Sequence, residues 1–258
     1  MIRIIHLSDP HFGTEPEYLP AVLLGCIETL GADAIVLSGD LTQRATPRQF
    51  RAARRFIASL PAPVLVIPGN HDTPLWNLPL RAIDPWRRWR LHLGLPLEGH
   101  LELPGVSIIG LNSANPKVWK DGRVTGAQIS RIERQIAASG PRRVIVALHH
   151  PPQPPSGEPP SLARADELVG VCRASGVEMI LSGHLHFSHV APVVGASGIL
   201  AVQTGTCLSE RQRGDGRAFS VIDLHAEGAT IVHHRLEADG LFKPDAARDW
   251  RRGTEGWH

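Results

Sequence analysis

The stretch DAIVLSGDLTQRATPRQFRAARRFIASLPAPVLVIPGNHD, residues 33–72, reads as strand, helix, strand. Its two apolar runs, AIVLS and VLVI, are short and uninterrupted, as in strands buried on both faces of a parallel sheet. Between them Thr46 suits a helix cap and Pro47 the first helical position. Phe50, Ala53, Phe56 and Ile57 then fall on one apolar face. Strand, crossover helix and strand imply parallel pairing with a right-handed connection. Both strands run directly into residues with chemistry: Ser-Gly-Asp40 after the first, Gly-Asn70-His71-Asp72 after the second.

Upstream, IRIIHL is a further strand ending at Asp9 and His11, followed by helical spacing over Tyr18–Leu30, so the chain opens as βαβαβ. Downstream, VSIIGLNS, RRVIVALHH, VEMILSGH and GILAVQTG read as strands, with helices expected over Gly126–Ala138 and Ser161–Ser175. AFSVIDLHAEGATIVHHRLE reads as a C-terminal β-hairpin turning near Gly228. The expected fold is α/β, a two-sheet sandwich with helices outside, as a single domain over residues 1–258. Residues 74–100, with Trp76, Trp86 and Trp89 among arginines, are expected to form an insertion or cap. Trp86, Trp89 and Leu93 share one side of a helix, which fits packing on the core or on a second subunit of a homodimer. PPQPPSGEPP, from Pro151, is a stiff, extended loop.

Composition narrows the function classes. With 42% hydrophobic and 20% charged residues the chain is ordinary globular material. A net charge of +2, with scattered arginines, argues against a nucleic-acid partner. Cys26, Cys172 and Cys207 lie far apart without CxxC spacing, which argues against a disulfide framework or a cysteine zinc site. No leader is apparent at the N-terminus and no apolar run reaches bilayer-spanning length. The expected location is the cytoplasm, with no membrane span.

In open α/β sheets, sites assemble at the carboxyl ends of strands. Asp9, His11, Asp40, Asn70, His149, His184 and His186 all stand there. Imidazole and carboxylate donors suit Zn, Mn or Fe better than Ca or Mg. The set is too large for one ion and large enough for two that share a bridge. Two divalent ions carry about +4; Asp9, Asp40 and a bridging hydroxide return about −3, leaving a site of about +1 that attracts an anion such as phosphate. A metal pair can also clamp the attacking and leaving oxygens of an in-line displacement.

These blocks, in this order, resemble the calcineurin-like metallophosphoesterases, whose pattern is DxH, GD, GNH(D/E), H and GHxH. Here they read DPH at Asp9–His11, GD at Gly39–Asp40, GNHD at Gly69–Asp72, His149, and GHLH at Gly183–His186. The resemblance implies one ion on Asp9, His11 and His186, the other on Asn70, His149 and His184, and Asp40 bridging. It implies two transition-metal ions (Fe, Mn or Zn) and a hydroxide held by them as nucleophile. His71 would be an acid near the leaving group, with Asp72 orienting its ring.

LSDPHFG, ALHHPP and GHLHFSH look closest to bacterial class III cyclic-nucleotide phosphodiesterases. The implied substrate is a small phosphoester, a nucleotide-like or cyclic-nucleotide diester. Phosphomonoesterase, lipid A precursor pyrophosphatase and nuclease stand as alternatives on the same fold. A non-enzymatic scaffold should have lost ligands, and this chain keeps them all. Phe12, Asn112, Phe187, the tryptophan-rich segment and the proline-rich loop are candidates for substrate selection at the rim. His6, His225, His233 and His234 lie in strands and suit structural roles; His189 suits the rim or surface. Strand alternation aims His150 elsewhere than His149, and lining the pocket stands as its alternative. Cys207 suits a structural thiol, and Arg44 either a phosphate contact or the surface.

Overall fold

Described residues of the computed structural model are 1–211 and 216–258. The chain opens with β1 (Ile2–Leu7), α1 (Leu19–Leu30), β2 (Ala34–Ser38), α2 (Pro47–Ser59) and β3 (Val64–Ile67). The cap on α2 forms as the sequence suggests: Thr46 accepts from Gln49 N, and the Gln49 side chain answers to the Thr46 amide. A 3₁₀ turn, Asn70–Asp72, then leads to α3 (Leu78–Ile83) and α4 (Arg87–His92). Next come β4 (His100–Leu103), β5 (Val106–Leu111), β6 (Gly122–Arg123), α5 (Gly126–Ala138), β7 (Arg143–Leu148) and β8 (Leu162–Ala163). They are followed by α6 (Ala165–Ala174), β9 (Met179–Ser182), β10 (His189–Val193), β11 (Ala196–Gln203), β12 (Ala218–His225) and β13 (Gly228–Leu236). The chain closes on β14 (Phe242–Pro244), β15 (Arg248–Gly253) and β16 (Gly256–Trp257).

One sheet runs β16-β15-β13-β12-β1-β2-β3, with β14 beside β13; the second runs β10-β11-β9-β7-β5-β4. β1, β2 and β3 pair in parallel, and so do β5, β7, β9 and β11. The two-residue alternation of side chains divides the core. Ile4, Ala34, Val36, Leu65 and Ile67 join the second sheet's residues in one apolar cluster. Ile5, Leu7, Ile35, Leu37 and Val66 join Leu23 and Ile27 of α1 and Phe50 and Phe56 of α2 in the other. Ile129, Ile132 and Ile136 of α5, with Leu168 and Cys172 of α6, back the second sheet. The layers are therefore helix, sheet, sheet, helix, and the expected α/β sandwich is present.

The C-terminal hairpin is present, with Val221 opposite Val232 and His225 opposite Gly228. The helix expected over Ser161–Ser175 starts later, at Ala165. Arg164, at φ 66, breaks any earlier helix, and Leu162–Ala163 pair with Gly122–Arg123 instead. In the 74–100 segment Trp89 is fully buried, edge-on to Phe50, and Trp86 packs beside it, while Trp76, Ile83 and Leu91 are exposed. Among the described residues no helix is long and apolar enough to cross a membrane.

Candidate metal centre

The ends of β1, β2 and β3 on one sheet meet those of β7 and β9 on the other. Two clusters of His and Asp side chains result, each positioned to hold a divalent metal ion. In the first, donor atoms of Asp9, His11, Asp40 and His186 lie within 4.8 Å of one another; in the second, those of His149, His150 and His184 do. His186 Nε2 is 3.1 Å from Asp9 Oδ1 and 3.2 Å from His11 Nε2. Asp40 stands between the clusters: its Oδ2 is 3.6 Å from His11 Nε2 and 3.4 Å from His149 Nε2. Its other oxygen, Oδ1, accepts the His71 amide at 2.8 Å.

The donors are aimed inward by partners on their far sides. His149 Nδ1 meets Ser38 O at 2.8 Å, and His186 Nδ1 meets Arg211 O at 2.5 Å, so each Nε2 faces the centre. Asn70 gives its amide hydrogen to Trp119 O at 3.3 Å, which turns its Oδ1 to the same side. Asp9 Oδ2 takes the His184 amide at 2.9 Å and the Ser8 hydroxyl at 2.5 Å. Asp9 Oδ1, Asn70 Oδ1, His149 Nε2 and His184 Nε2 are buried without a hydrogen-bond partner. Several such atoms facing one another would be costly in an apolar interior, and the donor chemistry fits transition-metal ions.

Backbone strain is concentrated at this site. Among the described residues, seven that are not glycine have left-handed φ angles, and Asp9, His11, Asp40, His184 and His186 are five of them. Such conformations cost about 1–3 kcal/mol each and persist where the surroundings over-determine them. The motif glycines supply the room. A Cβ on Gly39 would lie 2.6 Å from His149 Nδ1, and a Cβ on Gly69 or Gly183 would overlap the carboxylates of Asp40 or Asp9.

Charges in the cluster are coupled. Burial works to raise both carboxyls, but His149 and His186 beside Asp9, and His149 and His71 beside Asp40, hold them below the usual carboxylate range. Burial works to lower His149, yet Asp40 and Asp9 outweigh it and push the ring up to about 9. Burial, then the neighbouring rings of His150 and His149, pull His184 well down.

Four placements bear on the sequence expectations. Asp72 does not touch the His71 ring. Its Oδ1 accepts Thr42 N and Thr42 Oγ1, both at 2.9 Å, and its Oδ2 accepts Gly69 N and Leu41 N at 3.0 and 3.1 Å. With three residues per turn in a 3₁₀ turn, successive side chains diverge by about 120°. Gln43 O instead holds His71 Nδ1, at 2.9 Å. His150 belongs to the second cluster by position, but both its nitrogens are engaged, Nδ1 with Ser113 Oγ and Nε2 with Lys120 O, each at 2.9 Å. Phe12 is buried beside Phe56, and the Asn112 side chain caps the Ala114 amide, so neither lines the site.

A cavity of about 320 Å³ opens over the clusters, lined by Asp40, Asn70, His71, Lys120, His184, Leu185, His186 and Arg211. Lys120 and Arg211 were not singled out by sequence reasoning, because each sits in a loop without a motif. Arg211 Nη1 is 3.1 Å from His71 Nε2. Elsewhere, His6 bonds Ser38 Oγ, His225 bonds Thr230 Oγ1, His233 bonds Ser220 Oγ, and His234 stacks on Phe219. Cys207 is buried and its thiol pushed up by burial, which suits a structural role. Arg44 lies over the Trp76 ring at 5.9 Å.

A family model described as calcineurin-like phosphoesterase matches residues 2–188. A probable cyclic nucleotide phosphodiesterase from Rhodococcus erythropolis is 29% identical, over 89% of this chain and 81% of that one. A cAMP/cGMP dual specificity phosphodiesterase from Mycobacterium tuberculosis is 30% identical, over 92% of this chain and 80% of that one. Among solved structures, a purple acid phosphatase from yellow lupin seeds superposes with a TM-score of 0.67 at 15% identity. It covers 95% of this chain, which spans 53% of the lupin protein.

Proposed function

The chain belongs to the calcineurin-like phosphoesterase family and is a metal-dependent phosphoric ester hydrolase, and from that premise we propose that it hydrolyses small phosphodiesters of the nucleotide or cyclic-nucleotide type. The observation that carries this reading is Asp40 Oδ2, which lies within 3.6 Å of a ring nitrogen from each cluster. One carboxylate oxygen so placed would serve two ions. Asp9, His11 and His186 would hold one; Asn70, His149 and His184 would hold the other. The two relatives named above, each 80% or more covered by this chain, support the diester class. We read residues 1–258 as one such domain, with 74–100 as its insertion or cap.

Two ions bound there supply positive charge beside the phosphate and acidify water. The protein's own groups do the rest. Asp9 and Asp40 offset part of that charge while neutral Asn70 does not, which keeps the site attractive to an anion. Gln43 O fixes the tautomer of His71 with its proton on Nδ1, leaving Nε2 toward the cavity. In this arrangement Arg211 donates to that nitrogen. When a substrate enters, the guanidinium turns to the phosphate, and Nε2, released from it, takes up a proton from solvent and passes that proton to the leaving oxygen, which returns the ring to its neutral form with the proton on Nδ1. Asp72 acts at one remove, tying the Leu41–Thr42 loop to the Gly69 turn that presents Asn70 and His71.

The test is a panel of bis(p-nitrophenyl) phosphate, 2′,3′- and 3′,5′-cyclic nucleotides and p-nitrophenyl phosphate with one metal-loaded preparation. A kcat/KM higher for diesters is expected; a tenfold or greater preference for the monoester replaces the reading with phosphomonoesterase. In the same assays His71→Ala should depress cyclic-nucleotide turnover about 10²-fold more than nitrophenyl diester turnover, because nitrophenolate leaves without a proton. Equal losses would remove His71 from the acid role.

A further inference from the structure

Lys120 is a cation in the cavity with no part in the ligand set, and its ammonium has no hydrogen-bond or ion-pair partner among the described residues. It sits on the loop from Ser113 to Gly122, between β5 and β6, where Lys117, Val118, Trp119 and Lys120 are all exposed. A surface loop of this kind has little apolar burial to order it. This one is nevertheless tied down from two other elements.

Arg81 of α3 is the first tie. Its Nε donates to Pro116 O at 2.7 Å and its Nη2 to Val118 O, while Nη1 donates to Thr73 Oγ1 at 2.7 Å and Pro74 O at 3.1 Å. Its guanidinium also lies 4.5 Å from the centre of the Trp119 ring. Arg81 is only 8% exposed and bonds no carboxylate among the described residues. A buried guanidinium spent on carbonyls is costly to desolvate, and what it gains here is a clamp between the turn after Asn70 and the loop carrying Lys120.

His150 is the second tie. Its Nε2 faces a carbonyl, Lys120 O, and so bears the proton, while Nδ1 accepts from Ser113 Oγ, which in turn accepts the His150 amide at 3.1 Å. One ring thereby joins both ends of the loop to the end of β7. The fit is close: a Cβ on Gly122 would lie 2.5 Å from the His150 ring.

We propose that Ser113–Gly122 is a substrate-recognition arm in which Lys120 binds a non-bridging phosphate oxygen, and that Arg81 and His150 are positioning residues that hold Lys120 over the metal centre. The phosphoester class of the ligand rests on the function proposed above; the arm itself rests on the contacts just described.

The test reads binding rather than turnover. Inorganic phosphate is titrated calorimetrically into the metal-loaded chain at fixed ionic strength, with metal content measured in each sample. Lys120→Gln, at an exposed position, should weaken phosphate binding about tenfold or more, the worth of one charge-assisted contact, with metal content unchanged. Arg81→Ala should weaken it similarly, and the double variant should be no weaker than the worse single one by more than about twofold, since both act through one ammonium. Arg81→Lys, which keeps the charge but cannot serve Thr73 and Val118 together, should fall in the same direction and replaces the alanine variant if that fails to fold. Unchanged phosphate affinity in Lys120→Gln overturns the arm. Multiplying losses in the double variant overturn Arg81 as a positioner. If phosphate binding behaves as stated but the wild type cleaves no diester, the substrate reading fails and the arm stands; diester turnover with unchanged phosphate affinity in Lys120→Gln gives the reverse.

Discussion

Gly183→Ala should damage the metal centre by a single methyl group. Gly183 stands where the end of β9 crosses the Ser8–Asp9 turn, and its amide bonds His149 O at 3.0 Å. A Cβ there would overlap Asp9 Oδ2 and Ser8 Oγ and would lie 2.8 Å from Ser8 Cβ. An ordinary carbon–carbon contact is about 3.5 Å or more, so the turn must retreat by about 0.7 Å. Asp9 cannot absorb that locally, because its Oδ2 is already held by the His184 amide and the Ser8 hydroxyl. The displacement therefore passes to Oδ1, the oxygen that faces His11 and His186. Metal–ligand distances tolerate about 0.2 Å. The affinity of one of the two ions should fall about 10–100-fold, and overpacking should cost about 1–3 kcal/mol of stability. Gly170→Ala, in α6 with nothing within 4 Å of the added carbon, is the control and should stabilise by about 0.5–1 kcal/mol. Chelator competition with metal quantified by mass spectrometry reads the affinity, and denaturant unfolding reads the stability. Two ions bound with wild-type affinity in Gly183→Ala would refute the reasoning.

Asp40→Ala should reduce metal content from about two ions per chain to less than one and turnover to background, because one oxygen faces both clusters; an active variant retaining two ions would exclude the bridge. His6 predicts an acid sensitivity of the fold itself. Burial lowers this ring from 6.5 to about 3, so the unfolded chain takes up its proton first and stability is lost as pH falls below 6.5 toward 3. Between pH 7.5 and 5 the loss is about 2 kcal/mol, and His6→Gln should remove that share of the pH dependence in metal-free urea unfolding measured in parallel with wild type; identical slopes for the two chains would show that His6 is not buried neutral.

The parallel pairing of β1–β3 and the shared rim of the strand-end residues were legible because both follow from local rules. Buried parallel strands read as short apolar runs, and their carboxyl ends name the positions that share a rim. The motif glycines at 39, 69 and 183 were visible as letters, but their reason was not: each makes room for a clustered His or Asp side chain arriving from a different strand or the adjoining turn. Gln43, Trp119 and Arg211 were silent for a related cause. They act on His71, Asn70 and His186 through main-chain carbonyls, and a carbonyl leaves no mark on residue type. Asp72 misled because adjacency in sequence suggested a partner that the 3₁₀ turn points elsewhere.

What the sequence determined by itself is which chemistry this protein carries, since periodicity and strand-end residues are properties of neighbouring positions along the chain. What only the tertiary structure decided is how that chemistry is aimed. Lys120 reaches the cavity because Arg81, thirty-nine positions earlier, and His150, thirty positions later, hold its loop. Hydrogen bonds between loops so far apart obey no spacing rule; they exist only once the two sheets have closed and brought their strand ends to one side.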